Sequence, residues 1–543
     1  MTRSYADFIA NFSADTINDG FMGDLDDGLN VCEEICDRHC GDNRVSVRHE
    51  GVDGRVTELT YEQLRDMSAR FAAFLTAQGI GRGDRVAALL PRSPALIVVL
   101  LGTLRVGGVY QPLFTAFGPS AIEYRVGQSG AKLIVSDAEN WSKLDGVADC
   151  PPLMFVGDGD APAHPAAAHR YDDAMASPAE FTPVRVGPNE PMLQMFTSGT
   201  TGKSKGVSVP VRALVSFDVY MRDVMGVRAD DVYWNIADPG WAYGLYYALV
   251  GPMLIGVTTH FNQAGFTVDN TFSFLERHGI TNLAGAPTAY RMLMAATDEL
   301  AKYPGIRVER ASSAGEPLNP EIVTWMADAL GAVIRDQYGQ TETAMFVCNY
   351  HAVDHQLRDA SMGYALPGHR AVALNDDFEE VGVGETGQLA VDRDASPLLI
   401  FQGYDGGRTN PYHGKYYLTG DMVIAHGDGS FSYTGRDDDI IASAGYRIGP
   451  ADVESALIEH PSVIESGVVG KPDEKRGHIV KAYVVLKPGI NDTDALAEEL
   501  QQHVRNRLST HAFPREVTFV DELPKTPSGK IQRFILRERA ASE

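Results

Sequence analysis

The sequence predicts an α/β protein with largely parallel sheets, followed by a small α+β domain at the C-terminal end. Three observations predict it. Short apolar runs alternate with amphipathic helical segments along most of the chain, as expected of helices laid on parallel sheet. Prolines, glycines and capping residues punctuate those segments. The length of 543 residues allows roughly three to four folding units at about 150 residues each.

The elements follow in order. Residues 86–90 and 192–196 are short and apolar and read as buried strands. Ser93-Pro94 can cap and start a helix to about Val106, which Gly107-Gly108 ends. Residues 157–168 (GDGDAPAHPAAA) read as a surface loop. Asn319-Pro320-Glu321 starts a second helix that stops near Gly331. Gly427-Asp428-Gly429 reads as the turn of a hairpin joining 422–425 to 431–434. The acidic run Asp437-Asp438-Asp439 then opens a compact tail. That tail reads as helix 451–459, strands 464–469 and 480–486, helix 493–508 and strand 517–520. A boundary near Arg436 divides the chain into residues 1–435 and 436–543.

Composition narrows the function. With 47 basic and 72 acidic residues the net charge is −25, which argues against nucleic acid or an anionic membrane as the main partner. ATP stays open, because a few cations in a cleft outweigh a distant acidic surface. The longest apolar run, 95–104, ends at Arg105. It is far short of the ~20 residues of a membrane span, so no membrane insertion is expected. The start, MTRSYADFIANFSAD, lacks a basic stretch leading into an apolar core, so no secretory leader is expected. Five cysteines, an odd and sparse set, predict a reducing, cytoplasmic setting. Cys32, Cys36 and Cys40 would stack on one helix face; without a fourth ligand they read as packing side chains rather than a metal cluster. His351 and His355 would share a helix face too, but Ala352 stands where a zincin motif needs glutamate.

The strongest local signal is Thr197-Ser198-Gly199-Thr200-Thr201-Gly202-Lys203-Ser204-Lys205-Gly206, directly after a strand. Glycines let backbone N–H groups approach an anion, hydroxyls add donors and lysines add charge, so a polyphosphate is the natural guest. A Walker A loop needs glycine where this chain has Thr197.

This segment resembles the phosphate loop of the adenylate-forming superfamily, which includes acyl-CoA synthetases, luciferases and peptide-synthetase adenylation domains. The family usually has proline at Ser204. Further motifs appear in family order. Gly315-Glu316-Pro317 resembles the adenine-pocket segment. Asp336-Gln337-Tyr338-Gly339-Gln340-Thr341-Glu342-Thr343 resembles the motif in which, by the resemblance, Tyr338 stacks on adenine, Thr341 bonds the α-phosphate and Glu342, helped by Ser198, holds Mg²⁺. Residues 417–421 (YLTGD) resemble the ribose motif, with Asp421 and Arg436 as contacts. Asp438 resembles the hinge pivot, and Gly445-Tyr446-Arg447 the loop that meets coenzyme A. Pro524 to Lys530 (PKTPSGK) resembles the catalytic-lysine motif. Arg505 is offered as a CoA-phosphate contact. Weaker matches at 59–64 and 105–112 extend the resemblance over nearly the whole chain.

The resemblance implies mixed sheets flanked by helices, a β-barrel-like subdomain and a mobile C-terminal domain. It implies an enzyme that uses ATP, Mg²⁺ and coenzyme A to turn a small carboxylic acid into its thioester, as a monomer or homodimer. Trp241, Tyr243 and Gly339 would line the acyl pocket. No acidic residue occurs between Pro239 and Asn262, so a substrate ammonium would lack a partner there. Gly339 stands where acetyl-CoA synthetases carry tryptophan, which points to an acid longer than acetate. The alternatives are an acyl-AMP ligase serving a carrier protein, a luciferase-like oxygenase, and a non-catalytic nucleotide-binding homologue.

Overall fold

The computed structural model describes residues 3–197, 204–407, 410–443, 446–473, 476–508, 512–525 and 531–543. A seven-stranded sheet runs in the order Lys205–Pro210, Pro191–Thr197, Val109–Pro112, Arg85–Leu89, Leu133–Asp137, Leu153–Val156, Ala167–Arg170. Its neighbours are parallel except at one edge, where Pro191–Thr197 and Lys205–Pro210 form an antiparallel pair. The helix Pro94–Arg105 is capped by Ser93, as its Ser-Pro start implies, and is buried from Ala95 to Arg105. It packs against Tyr61–Ala77, a helix opened by a reciprocal capping box between Thr60 and Gln63.

A second, fourteen-stranded sheet has two characters. Val45–Glu50, Thr259–Asn262, Tyr233–Asn235, Asn282–Gly285, Arg310–Ala314 and Val333–Gln340 are mutually parallel. From Ala344–Cys348 onward the strands are antiparallel. The ladder ends at the edge strands Ala371–Leu374 and Val56–Thr60 and does not close. The expected barrel-like subdomain is therefore an open antiparallel extension. Gly363–Ala365 pairs with Ala344–Cys348 on one side and Ser430–Arg436 on the other, and Ala371–Leu374 is the last strand of the extension. The hairpin expected around Gly427-Gly429 lies in this extension, between Tyr416–Ala425 and Ser430–Arg436.

The smaller C-terminal domain has a five-stranded sheet built on Val463–Asp473 and Gly477–Leu486. Helices Pro450–Ile458, Asp494–Arg507 and Arg533–Ser542 accompany it. The helix Arg533–Ser542 and the strands Ile441–Ser443 and Tyr446–Ile448 were not legible in the sequence. The domain meets the rest of the chain where Asn319 Nδ2 donates to Ser455 Oγ at 3.3 Å.

Two expectations need correction. The helix Val31–Ile35 ends before Cys36, so the three cysteines do not stack on one face. The chain leaves the helix there and Asp37 meets the buried Arg105 in a two-pronged ion pair at 2.8 and 2.6 Å. His351 and His355 flank the short strand Val353–Asp354 instead of sharing a helix. His351 Nε2 faces Ala311 O at 2.9 Å, and His355 Nδ1 faces Val353 O at 3.0 Å.

Candidate active site

The phosphate-loop motif spans the end of a hairpin, with Thr197 and Lys205 paired across its base. Ser198, Gly199, Thr200, Thr201 and Gly202 lie outside the described residues. One foot of the loop is anchored. Tyr124 Oη donates to Ser204 O and Arg125 Nη2 to Ser204 Oγ, both at 2.9 Å. The serine that replaces the usual proline thus uses its hydroxyl. Beyond it, the Lys205 ammonium stands 4.7 Å from the ring centroid of Tyr404, within cation–π range.

Thr341 and Glu342 occupy the tight connection between Val333–Gln340 and Ala344–Cys348. The turn is strained, because Ala344 adopts φ +56°, a left-handed conformation that side chains disfavour. Gln340 N donates to Thr343 Oγ1 at 3.1 Å, and Tyr246 Oη donates to Thr341 O at 3.3 Å. The turn presents the Glu342 carboxylate, which is buried, to Tyr404, whose hydroxyl donates to Oε1 at 2.7 Å. Burial raises the Glu342 pKa, while the Tyr404 hydrogen bond, Lys205 and Arg436 oppose that rise.

Asp421 is a second centre, on the strand Tyr416–Ala425. Its Oδ2 accepts from Tyr338 Oη and, at 2.7 Å, from Gln340 Nε2. Arg436 Nη1 lies 3.4 Å from Oδ1. Gln340 also donates to Thr419 O at 2.9 Å and accepts from Tyr417 Oη at 2.8 Å. One hydrogen-bonded patch therefore unites the aromatic motif, the 417–421 motif and Arg436, which are far apart in sequence.

The remaining candidates divide. Gly315 has φ +100°, which glycine adopts at little cost. It places Glu316 beside Thr288 and Arg291, with the Arg291 ion pair at 2.6 Å. Pro317 follows in the same loop. Burial pushes the Asp336 carboxyl up to about 8, and its Oδ1 has no hydrogen-bond partner among the described residues. Gln337 is buried; it accepts from Tyr220 Oη and donates to Ser312 Oγ at 3.0 Å. Tyr243 joins that network through Tyr220 Oη at 3.2 Å. Trp241 packs elsewhere, against Phe114 and Phe117. At Gly339 a Cβ would stand 2.2 Å from Ala344 O and 2.6 Å from Met345 Cα. The close approach of two backbones accounts for glycine there.

Two family models match the chain: AMP-binding enzyme over residues 32–404 and AMP-binding enzyme C-terminal domain over residues 452–530. The chain belongs to the AMP-binding enzyme family. It is 34% identical to the acetyl-coenzyme A synthetase of Bacillus subtilis, over 94% of this chain and 90% of that protein. A mitochondrial acyl-coenzyme A synthetase of Rattus norvegicus is 33% identical, over 90% of this chain and 86% of that protein. A solved acyl-CoA synthetase of Brucella canis shares 51% identity and a TM-score of 0.81, with 99% of each chain covered.

In this AMP-binding enzyme most of the C-terminal candidates fall outside the described residues. Lys530 and Gly445 lie outside the described residues, as do the side chains of Arg447 and Asp438. The backbone of Arg447 pairs with Ala442. Arg505 is exposed near the end of Asp494–Arg507, with its guanidinium 5.6 Å from the Phe513 ring. Its neighbour Arg507 pairs with Glu459 at 2.6 Å. Tyr404 and Arg125 were missed in the sequence. Neither belongs to a motif with chemical spacing; the fold alone brings them to Lys205, Glu342 and Ser204. No helix among the described residues is long and apolar enough to cross a membrane.

Proposed function

We propose that the chain converts a carboxylic acid to its coenzyme A thioester in two steps. The acid's carboxylate oxygen attacks the α-phosphorus of ATP, giving acyl-AMP and releasing pyrophosphate. The coenzyme A sulfur then attacks the acyl carbon, its thiol proton passes to solvent, and AMP leaves with the carboxylate oxygen. The observation that carries this reading is the convergence of Lys205, Glu342, Tyr338, Asp421 and Arg436 from separate segments, in a chain of the AMP-binding enzyme family.

The roles follow from chemistry. Lys205 and the 197–202 loop neutralise the triphosphate, and Thr341 bonds the α-phosphate. Asp421 accepts hydrogen bonds from the ribose hydroxyls, with Arg436 beside it. Tyr338 faces the base, against the wall formed by Gly315, Glu316 and Pro317. Lys530 supplies positive charge where the anhydride forms. A second orientation of residues 436–543, reached by turning about Asp438, brings the Gly445–Arg447 loop to the thiol, with Arg505 toward the coenzyme A phosphates. The donor set suits magnesium: Glu342 is a buried carboxylate whose ionised form a nearby cation would stabilise, and Ser198 adds a hydroxyl. When bound, Mg²⁺ neutralises phosphate charge.

The acid is uncharged beyond its carboxylate and longer than acetate: short- to medium-chain, branched or aryl. No acidic residue lies between Pro239 and Asn262 to hold an ammonium. At Gly339 the backbone of Ala344 and Met345 leaves no space for a Cβ, so the length preference stands instead on the uncharged 239–262 segment, where each buried methylene would contribute about 0.8 kcal/mol. The enzyme acts in the cytoplasm as a monomer or homodimer; its five cysteines are all unpaired, as a reducing compartment would leave them. Pyrophosphate release over acetate to octanoate and benzoate, with and without coenzyme A, tests the assignment. Coenzyme A-dependent turnover peaking beyond acetate supports it, and a highest kcat/KM for acetate contradicts the length preference.

A further inference from the structure

We propose that Tyr404 is a positioning residue that stands between Lys205 and Glu342 and keeps the two from pairing with each other. This deepens the synthetase reading and rests on its assignment of Lys205 and Glu342 to the triphosphate and its metal.

Two opposite charges on neighbouring walls of a partly dehydrated cleft attract strongly. Left alone, an ammonium and a carboxylate close into a salt bridge, and each is then spent on the other rather than on a ligand. Among the described residues Lys205 forms no such bridge. Its ammonium rests 4.7 Å from the Tyr404 ring centroid, while the same residue's hydroxyl donates to Glu342 Oε1 at 2.7 Å. One side chain thus satisfies the cation with its π face and the anion with its hydroxyl. Neither contact commits a full countercharge, so both groups stay available to phosphate and metal.

Tyr404 is itself held from behind. It bridges to Val207, two residues after Lys205. Asp405 N donates to Gly206 O at 3.0 Å, and the Asp405 carboxylate accepts from Ser208 Oγ at 3.0 Å and from Gln194 Nε2. These bonds tie the Tyr404 backbone to the strand that carries Lys205, so ring and ammonium move as one piece. The ring also packs on Phe401, with centroids 4.9 Å apart. The arrangement fixes a tyrosine: phenylalanine would keep the spacer and lose the donor, and an aliphatic residue would lose the cation's seat.

The test is equilibrium binding of metal-free ATP by calorimetry, which reads the availability of Lys205 without turnover. Tyr404→Leu lets Lys205 and Glu342 meet and weakens metal-free ATP by roughly tenfold, the scale of one charged interaction lost to the ligand. Tyr404→Phe stays within roughly threefold of the parent, since the π face remains. Adding Glu342→Gln to Tyr404→Leu removes the competing charge and restores the affinity. A mere packing role predicts no such restoration. If Tyr404→Leu unfolds, Tyr404→Met keeps the volume without the π face and answers the same question. Parental affinity in the leucine or methionine variant, or failure of Glu342→Gln to restore it, overturns the proposal. A parent chain that binds ATP yet releases no pyrophosphate with any acid overturns the synthetase reading instead and leaves the spacer result standing.

Discussion

Replacing Asp421 by asparagine isolates the ribose contact. The carboxylate already receives Tyr338 Oη and Gln340 Nε2 on one oxygen and faces Arg436 with the other. Asparagine keeps the shape but turns one acceptor into a donor, so the residue can no longer serve both its protein partners and the ribose. A hydrogen bond to a charged group contributes about 1.5–3 kcal/mol. Losing one to two of them gives about 3 kcal/mol, or roughly a hundredfold in kcat/KM for ATP at 1.36 kcal/mol per factor of ten. The assay is pyrophosphate release at subsaturating ATP. It is repeated with 2′-deoxy-ATP, which removes one of the hydroxyls from the substrate side. The parent enzyme loses roughly tenfold on the deoxy substrate, and Asp421→Asn loses little more, because the partner is already gone. An equal further loss in the variant would refute the contact. A melting temperature near that of the parent shows that the fold survived.

Three further outcomes are expected. The Asp336 carboxyl, held near 8 in the fold by burial, stays protonated there at neutral pH but ionises in the unfolded chain. The unfolded state therefore binds fewer protons between about pH 4 and 8, and this group's contribution to stability falls as pH rises through that window. Asp336→Asn should flatten the decline in thermal melting from pH 6 to 8; an unchanged slope would contradict the burial argument. Glu454→Gln breaks the pair with Arg533, at 2.6 Å and nearly buried, and should destabilise the C-terminal domain by about 3 kcal/mol, read by hydrogen exchange in 450–542. Full protection there would show that the pair contributes little. Lys530→Ala should abolish acyl-AMP formation from ATP yet still convert supplied acyl-AMP and coenzyme A; equal loss of both half-reactions would reject the division of labour.

The legible part of this protein is the part written in local chemistry. Ser93-Pro94 and Asn319-Pro320 place two helices within a residue or so, because the fixed φ of a first-turn proline, joined at Ser93 by a side-chain cap, acts over one turn. The 417–421 and 336–343 motifs, paired in the sequence by family resemblance, do meet in one hydrogen-bonded patch through Tyr338, Gln340 and Asp421. What escaped depends on distant chain. Tyr404 carries no motif, and its meaning lies in a bridge to Val207. Trp241 and Tyr243 are two residues apart but pack in different aromatic clusters, which no periodicity reveals. Just past the break at Cys36, Asp37 pairs with the distant Arg105. Gly339 read as room for a longer acid, whereas the backbone of Ala344 and Met345 leaves no space for a Cβ.

The central claim is an acid activated as its adenylate. It is tested most directly with a carboxylate labelled with ¹⁸O, incubated with ATP, magnesium and coenzyme A. The account predicts one labelled oxygen in AMP for each acyl-CoA formed and none in pyrophosphate. Label appearing in inorganic phosphate alongside ADP, or AMP without label, would contradict it.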